Sequence, residues 1–287
     1  MLFTDGKEVF AFNVVSGKGE VQSVLSDLTG VRSLAVDKNR GYLFVASSST
    51  SGKSHVDRYA FAVEVSQEGD TLTVNSTSKT EVYSGRNVKS LAIDDDESIL
   101  YVADTESARI DEIKYSGHVR QLANSEIGLV KTLYSEEDVS SLAKVTSLAV
   151  DYLGNLFWTT SSQGKTQGAV MEASADSPNP ASAKIVSKLL ASAGSLCYSR
   201  NFLFYSGPDA TLENDAENSA VYYKRLPRSG EIAKDLKMIG TGFTDVVAIG
   251  SFDNSFVYIA DADLGFFAME AFENDEFSEP VPIPMTI

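Results

Sequence analysis

The stretch Val88–Gly117 reads VKSLAIDDDESILYVADTESARIDEIKYSG and contains three predicted strands in succession. An apolar strand over Ser90–Ile93 leads into an acidic turn at Asp94–Glu97, and a second strand over Ile99–Ala103 follows. After a polar loop, a third strand begins at Arg109. Short apolar runs separated by Asp-, Ser- and Gly-rich turns predict antiparallel β-strands.

The second of these strands has five further copies along the chain. Each copy starts with apolar residues, carries an aromatic residue in its first three positions and ends in a small or polar residue. The copies follow one another every 42 to 57 residues, at Met1–Asp5, Leu43–Ser47, Leu156–Thr160, Leu203–Gly207 and Val257–Asp261. A repeated unit that cannot bury its apolar face alone predicts a stack of such units.

A shorter strand precedes five of the six copies, at Val31–Asp37, Val88–Asp94, Val145–Asp151, Ala193–Tyr198 and Asp245–Gly250. Three of them contain the identical tripeptide Ser-Leu-Ala. Small residues suit the crowded centre of a radial assembly, so we interpret this strand as the innermost one, a, and the aromatic strand as b. Two less regular strands, c and d, follow in each repeat.

Six repeats of this kind predict an all-β protein, a six-bladed β-propeller with four-stranded antiparallel blades, in a single domain over residues 1–287. The predicted blades span roughly 1–28, 31–85, 88–135, 145–190, 193–240 and 244–287. A short helix is predicted within Glu136–Lys144. The first blade lacks an inner strand, because Met1 already lies at the start of its strand b. Either preceding residues have been lost, which we favour, or the C-terminal strand Pro280–Ile287 closes the ring.

The segment Leu100–Tyr115 (LYVADTESARIDEIKY) resembles the core of an NHL repeat. The residues that match the repeat are Tyr101, Ala103, Asp104, Arg109 and Ile110. LFTD at Leu2–Asp5 and FWTT at Phe157–Thr160 resemble the YWTD motif of the low-density-lipoprotein-receptor propellers. The resemblance implies a propeller fold, which hosts binding modules and enzymes alike.

The same resemblance implies that an Asp at the end of strand b braces the following loop or the neighbouring blade. Asp5, Asp104 and Asp261 occupy this position. The alternative is an acidic binding surface, because b–c loops and d–a connections leave the same end of a blade. That loop face also carries Asp209, Glu213, Asp215 and Asp263.

The chain has 24 Lys and Arg against 40 Asp and Glu, a net charge of −16. This composition argues against nucleic acid and anionic membranes as partners, and it is compatible either with solubility alone or with a basic protein partner. No apolar run is long enough for a transmembrane helix, and the first residues show no signal-peptide pattern. The single cysteine, Cys197, lies in an apolar strand and is expected to be a buried core residue. The sequence does not decide between a cytoplasmic and a secreted or luminal location.

Catalytic patterns are sparse. Propellers of the gluconolactonase type, which hold a divalent metal, resemble the chain around Ser90–Asp104, although their Glu-Gly-Pro and Pro-Asn-Gly segments are missing and only Asn87 offers a matching amide. The two histidines, His55 and His118, are expected in polar turns, with no zinc or triad spacing.

The densest acidic cluster comprises Asp94, Asp95, Asp96 and Glu97 in the a–b turn of the third blade. We interpret it as a solvated turn; the alternative is a Ca²⁺ site, since Ca²⁺ takes carboxylate oxygens. No other cofactor is expected.

The pattern therefore favours a non-enzymatic binding or scaffold protein that contacts a protein partner through loops on one face. A metal-dependent hydrolase or lyase with a site in the central channel is the alternative. A third possibility is a subunit of a larger assembly in which another chain supplies the missing first strand.

Overall fold

The computed structural model describes residues 1–12, 21–49, 52–64, 71–116, 128–161, 168–188, 193–199, 201–208, 219–226, 236–252, 256–271 and 277–284. Within these ranges the regular structure is β-strand apart from two 3₁₀ turns, at Leu142–Lys144 and Pro180–Ser182. The all-β prediction is confirmed. The helix predicted within Glu136–Lys144 is reduced to the first of these turns.

Met1–Ala143 form one compact unit with three antiparallel sheets. The first sheet contains β1 (Leu2–Thr4), β2 (Val9–Ala11) and β3 (Gln22–Leu25). The second contains β4 (Ser33–Asp37), β5 (Tyr42–Ser48), β6 (Ser54–Glu64) and β7 (Thr71–Gly85). The third contains β8 (Val88–Asp94), β9 (Ile99–Asp104), β10 (Arg109–Lys114) and β11 (Val130–Ser135).

Lys144–Pro284 form the second compact unit, also with three antiparallel sheets. The fourth sheet contains β12 (Val145–Val150), β13 (Asn155–Thr160), β14 (Ala169–Ser174) and β15 (Lys184–Lys188). The fifth contains β16 (Leu196–Ser199), β17 (Phe202–Pro208), β18 (Ser219–Arg225) and β19 (Lys237–Phe243). The sixth contains β20 (Val246–Phe252), β21 (Phe256–Asp261), β22 (Gly265–Glu270) and β23 (Val281–Pro282).

These sheets are the six blades of a β-propeller, as predicted. Strands pair in chain order a-b-c-d in each four-stranded sheet, and the first sheet has three strands among the described residues. Because neighbouring strands are antiparallel, the a–b and c–d turns leave one end of a sheet, while the b–c loop and the d–a connection leave the other. This topology brings loops from adjacent sheets of one unit together.

Strand b is the most deeply buried strand in each of the four-stranded sheets. In β9 every residue from Leu100 to Asp104 is buried, and in β13 every residue from Leu156 to Thr160 is buried, including Trp158. Both faces of these strands are buried, so the alternation of a half-exposed strand is lost. Cys197 in β16 is partly buried against the apolar cluster of the last two sheets. Burial raises the pKa of its thiol to about 11, so the thiol is uncharged at neutral pH.

The repeated Ser-Leu pair of strand a links neighbouring sheets. The backbone N–H of Leu91 in β8 donates to Ser33 Oγ in β4 at 3.0 Å. The equivalent N–H of Leu196 in β16 donates to Ser147 Oγ in β12 at 3.2 Å. The short serine side chain at this position reaches the next strand a. A longer side chain would push the two strands apart. The identical tripeptides therefore encode an inter-sheet contact as well as a strand.

Replacing Ser33 by alanine is expected to lower the free energy of unfolding by about 1–2 kcal/mol, because the buried N–H of Leu91 loses its acceptor. Urea denaturation followed by tryptophan fluorescence and far-UV circular dichroism measures the change. Ser140→Ala, at an exposed position of the same unit, is the matched control and should change the midpoint little. Equal midpoints for the two variants would show that this hydrogen bond contributes nothing to stability.

Candidate functional site

Asp104 ends β9 and fixes the loops at that end of the third sheet. Its buried carboxylate accepts the backbone N–H groups of Arg86 at 2.9 Å and Asn87 at 3.0 Å, both in the connection from β7 to β8. It also accepts the N–H of Ser107 at 3.2 Å and the Ser107 hydroxyl at 2.9 Å, in the loop from β9 to β10. Burial by itself raises the pKa of Asp104, but the hydrogen bonds outweigh it and the pKa lies below its ordinary value.

Asp261 ends β21 and does the same in the second unit. Its carboxylate accepts the Thr244 N–H and hydroxyl, both at 2.9 Å, and the Asp245 N–H at 3.0 Å. On the other side it accepts the N–H groups of Asp263 at 3.0 Å and Leu264 at 2.9 Å. Here too burial raises the pKa of Asp261, and the more numerous hydrogen bonds lower it below its ordinary value. One buried carboxylate thus joins the d–a connection to the b–c loop in each unit.

The other acidic positions of the loop face differ from these two. Asp5 is exposed, and its carboxylate accepts the N–H groups of Lys7 and Glu8, both at 2.8 Å, which lower its pKa. Asp263 is exposed at the tip of the b–c loop of the sixth sheet. Asp209, Glu213 and Asp215 lie outside the described residues. The geometry is that of loop bracing: Asp5 holds its own b–c loop, and Asp104 and Asp261 each hold a b–c loop and a d–a connection. A binding role of the acidic set stays a prediction.

The braced carboxylates predict that the protein loses stability in acid. Because the pKa values of Asp104 and Asp261 are lower in the folded state than the ordinary value of 3.8, their contribution is complete above about pH 4. It is lost as the pH falls through the folded-state pKa values. Urea midpoints measured between pH 7 and pH 2 should fall steeply below pH 4, and Asp261→Asn should flatten this fall. An unchanged slope in Asp261→Asn would contradict the assignment.

A cleft of about 530 Å³ opens at the loop end of the second and third sheets. The antiparallel register of β6 and β7 sets Ser54 opposite Gly85, which places the preceding Lys53 beside the end of β7. The b–c loop of the third sheet forms the other wall. The lining, which we call the cationic cleft, comprises Lys53, Ser84, Gly85, Arg86, Glu106, Ser107 and Arg109.

Arg109 is held in place from behind the cleft. Its Nε lies 2.7 Å from Asp111 Oδ2, and its guanidinium also donates to Tyr83 Oη at 3.3 Å. Tyr83 donates its own hydroxyl to Asp111 at 2.7 Å, and Thr132 donates to the second oxygen of Asp111 at 2.7 Å. The Tyr83 hydrogen bond and the Asp111 charge raise the pKa of Arg109. Burial raises the pKa of Tyr83, so the phenol stays neutral.

Two backbone features shape the cleft. A Cβ at Gly85 would lie 2.6 Å from the Tyr83 ring and 2.7 Å from Asp104 Oδ2, so only glycine lets the d–a connection lie this close to both groups. Ala108 adopts a left-handed φ of 46°, which is unfavourable for a residue with a Cβ. Ala108 itself is buried, and its neighbours Ser107 and Arg109 both line the cleft. Strain of this kind is stored where the surrounding contacts hold it.

The acidic turn at Asp94–Glu97 lies at the opposite end of the third sheet. Asp94 Oδ1 accepts the Glu97 N–H at 3.0 Å, and Asp95 Oδ2 accepts the Asn39 amide at 2.9 Å. Asp96 and Glu97 are exposed. Burial and the neighbouring carboxylates raise the pKa of Asp94. Within the described part of the chain no three Asp, Glu, His or Cys side chains are grouped as metal ligands, and Ca²⁺ binding at this turn stays a prediction.

The placement of His55 in a polar turn is wrong. His55 lies in β6 opposite Ser47 of β5, and its Nε2 is 3.0 Å from Ser47 Oγ and 3.1 Å from Asp57 Oδ2. Lys79 Nζ lies 3.0 Å from the same Asp57 oxygen, which raises the pKa of Lys79. Sequence spacing missed this group because cross-strand pairing brings its members together. Both contacts of His55 use the same nitrogen and Ser47 is buried, so the group is not arranged as a nucleophilic triad. His118 lies outside the described residues.

Solved structures with the same fold were found at low sequence identity. A chain of a nidogen–laminin complex is 14% identical, with a TM-score of 0.66 over 97% of this chain and 91% of that chain. The PQQ-bound aldose sugar dehydrogenase of Streptomyces coelicolor is 12% identical, with a TM-score of 0.60 over 90% and 83%. A putative 6-phosphogluconolactonase of Bacteroides uniformis is 11% identical, with a TM-score of 0.54 over 97% and 92%. The propeller fold is shared. Identities this low show the fold alone, and the three structures include both a protein complex and enzymes.

No protein-family description matches the chain, and no curated protein matches it in sequence. The described residues contain no helix that is long and apolar enough to span a membrane.

Proposed function

We propose that this propeller is a non-enzymatic binding or scaffold protein whose b–c loops and d–a connections contact a protein partner. The observation that carries the proposal is the anchoring of these loops by Asp104 in the first unit and by Asp261 in the second. Loops that are fixed before binding lose less conformational entropy when a partner docks. A buried carboxylate that accepts hydrogen bonds from backbone and hydroxyl groups of two loop segments therefore suits a recognition surface.

The anchored loops present exposed side chains at their tips. Glu106 lies at the tip in the third sheet, and Asp245, Asp263 and Leu264 lie at the tips in the sixth. Leu264 is 51% exposed although it is apolar, so burying its side chain at an interface would be favourable. The acidic tips and the net charge of −16 favour a basic protein partner.

One structural neighbour and one sequence resemblance support the proposal. A structure of a nidogen–laminin complex contains a chain with this fold, so the architecture occurs in an assembly of two proteins. The segment Leu100–Tyr115 resembles an NHL repeat, and we propose that the repeats are of this type. The fold also occurs in enzymes, so the proposal rests on the loop surface and not on the fold.

The alternative is a metal-dependent hydrolase built on the a strands. It requires carboxylate or amide ligands from several of these strands. In the first unit the exposed residues beside or within two a strands are Arg32 and Lys89, and the guanidinium of Arg32 donates to the amide oxygen of Asn87. Cations at these positions repel a metal ion, which places this alternative second. Native mass spectrometry before and after a chelator tests it, since a stoichiometric metal that the chelator removes would favour the enzyme.

Affinity capture with quantitative mass spectrometry tests the binding function. The test variant combines Asp263→Lys with Leu264→Ser on the loop face. The control combines Tyr152→Ser with Leu153→Ser, two exposed residues in the a–b turn of the fourth sheet at the other end. A specific partner should be captured by wild type and control and be lost at least tenfold in the test variant. Loss in the control alone, or equal capture by all three proteins, contradicts the proposal.

A further inference from the structure

We propose that the cationic cleft is a binding site for a doubly charged phosphoryl group carried by a small molecule. This inference goes beyond the proposed function, because it depends only on the cleft lining and needs no protein partner. Its starting observation is the local reversal of charge. The chain carries −16 overall, yet three of the four charged side chains that line the cleft are the cations Lys53, Arg86 and Arg109.

Two cations of the lining are available to a dianion. Arg109 already forms an ion pair with the buried Asp111 behind the wall, so Lys53 and Arg86 supply the positive charge that faces the cleft, beside the one carboxylate of the lining, Glu106. Asp104 and Asp111 lie behind the wall and are buried, with Asp104 bound to loop backbone and Asp111 bound to Tyr83, Thr132 and Arg109. The acidic surface elsewhere repels anions at long range, so binding depends on short-range contacts in the cleft.

The side chains also have the right chemistry. A guanidinium presents a planar fork of donors that fits two oxygens of a phosphate, and a lysine adds a mobile point charge. The side chains of Arg86 and Lys53 are exposed, and their backbone positions are fixed by the Asp104 anchor and by the β6–β7 pairing. Ser84 and Ser107 add hydroxyl groups to the lining.

The cleft is large enough for more than an inorganic ion. Its volume of about 530 Å³ lies in the range of sites for small organic ligands. The walls are mostly polar, so the organic part of the ligand is expected to be hydroxylated and not apolar. Glu106 is placed to accept hydrogen bonds from such hydroxyl groups. A small polyol phosphate is therefore the chemical class that fits the whole lining.

Isothermal titration calorimetry with inorganic phosphate, glycerol phosphate, a phosphoserine peptide and acetate tests the site. We expect saturable one-site binding of phosphate, tighter binding of glycerol phosphate, and much weaker binding of acetate. Arg86→Gln and Lys53→Gln should each weaken phosphate binding about tenfold, the loss of one charged hydrogen bond. Lys38→Gln removes the same charge from an exposed turn at the other end of the second sheet and should bind like wild type.

Each contrary result has a definite meaning. Equal affinities of Arg86→Gln, Lys53→Gln and Lys38→Gln would overturn the site, because bulk charge would then explain the binding. If acetate binds as tightly as phosphate, the site does not select a dianion. If the phosphoserine peptide binds more tightly than glycerol phosphate, the ligand is not a small molecule. No phosphate binding at tens of millimolar by a folded wild-type protein would end the proposal. None of these results depends on the capture of a protein partner.

Discussion

Replacement of Asp111 by alanine is expected to lower the free energy of unfolding by about 3–5 kcal/mol. The carboxylate is fully buried. It accepts hydrogen bonds from Tyr83 Oη and Thr132 Oγ1, both at 2.7 Å, and forms an ion pair with Arg109, whose Nε lies 2.7 Å away. Without it, the positive charge of Arg109 loses its partner at the edge of the core, and two hydroxyls lose their acceptor. Uncompensated groups of this kind cost far more than the intact network contributes.

The chain offers a matched control at the next residue. Glu112 points to the other face of β10, where its carboxylate pairs with Lys131 Nζ at 3.0 Å on the surface. Glu112→Ala removes the same charge, and a surface pair contributes less than about 1 kcal/mol. Urea midpoints of the two variants, followed by circular dichroism, should therefore differ clearly. A shared midpoint would mean that the buried network does not stabilise the contact between the second and third sheets.

Replacement of Asp261 by alanine is expected to cost about 2–4 kcal/mol, because four backbone N–H groups and one hydroxyl lose a common acceptor. Water can reach part of this loop, which keeps the cost below the sum of five buried hydrogen bonds. The destabilisation should at first affect only the loop segments that Asp261 braces. Hydrogen exchange should accelerate at Thr244, Asp245, Asp263 and Leu264 before the rest of the sixth sheet is affected.

Asp263→Ala separates bracing from binding, since it removes an exposed carboxylate two residues away and leaves its own N–H in place. We expect Asp263→Ala to change stability by less than about 0.5 kcal/mol. If both variants unfold alike, Asp261 does not brace the loop. If Asp263→Ala alone reduces capture of a partner while stability is unchanged, the exposed acid contributes to recognition as the loop-face hypothesis predicts.

The acidic residues illustrate how far a sequence pattern reaches. Asp5, Asp104 and Asp261 share one position in the repeat, and the pattern could not tell a buried carboxylate that braces two segments from an exposed one that braces only its own loop. Burial decides between them: Asp104 and Asp261 lie beneath two converging backbone segments, whereas Asp5 accepts only two N–H groups of its own turn. Exposure depends on the neighbouring sheet, which no repeat unit contains.

The cationic cleft was not predicted at all. Its three cations come from different parts of the repeat: Lys53 from a b–c loop, Arg86 from a d–a connection and Arg109 from the first position of a strand c. The acidic composition favoured carboxylates as binding residues instead. One signal was available, the Arg-Ile step at Arg109 in the segment that resembles an NHL repeat. The contact of His55 with Ser47 was missed for the same reason, since the register of β5 against β6 sets it.

The amino-acid sequence by itself determined the strands, their order and the six-bladed propeller, because hydrophobic periodicity and turn residues act over a few neighbouring residues and repeat along the chain. The repeated Ser-Leu pair of strand a is also evident in the sequence. Its role follows only from the structure, in which Ser33 Oγ accepts the backbone N–H of Leu91 in the next sheet. Only the tertiary structure decided which carboxylates accept hydrogen bonds from loop backbone and which cations line the same cleft. Those outcomes depend on distances between residues that are far apart in the chain, and packing between neighbouring sheets sets these distances.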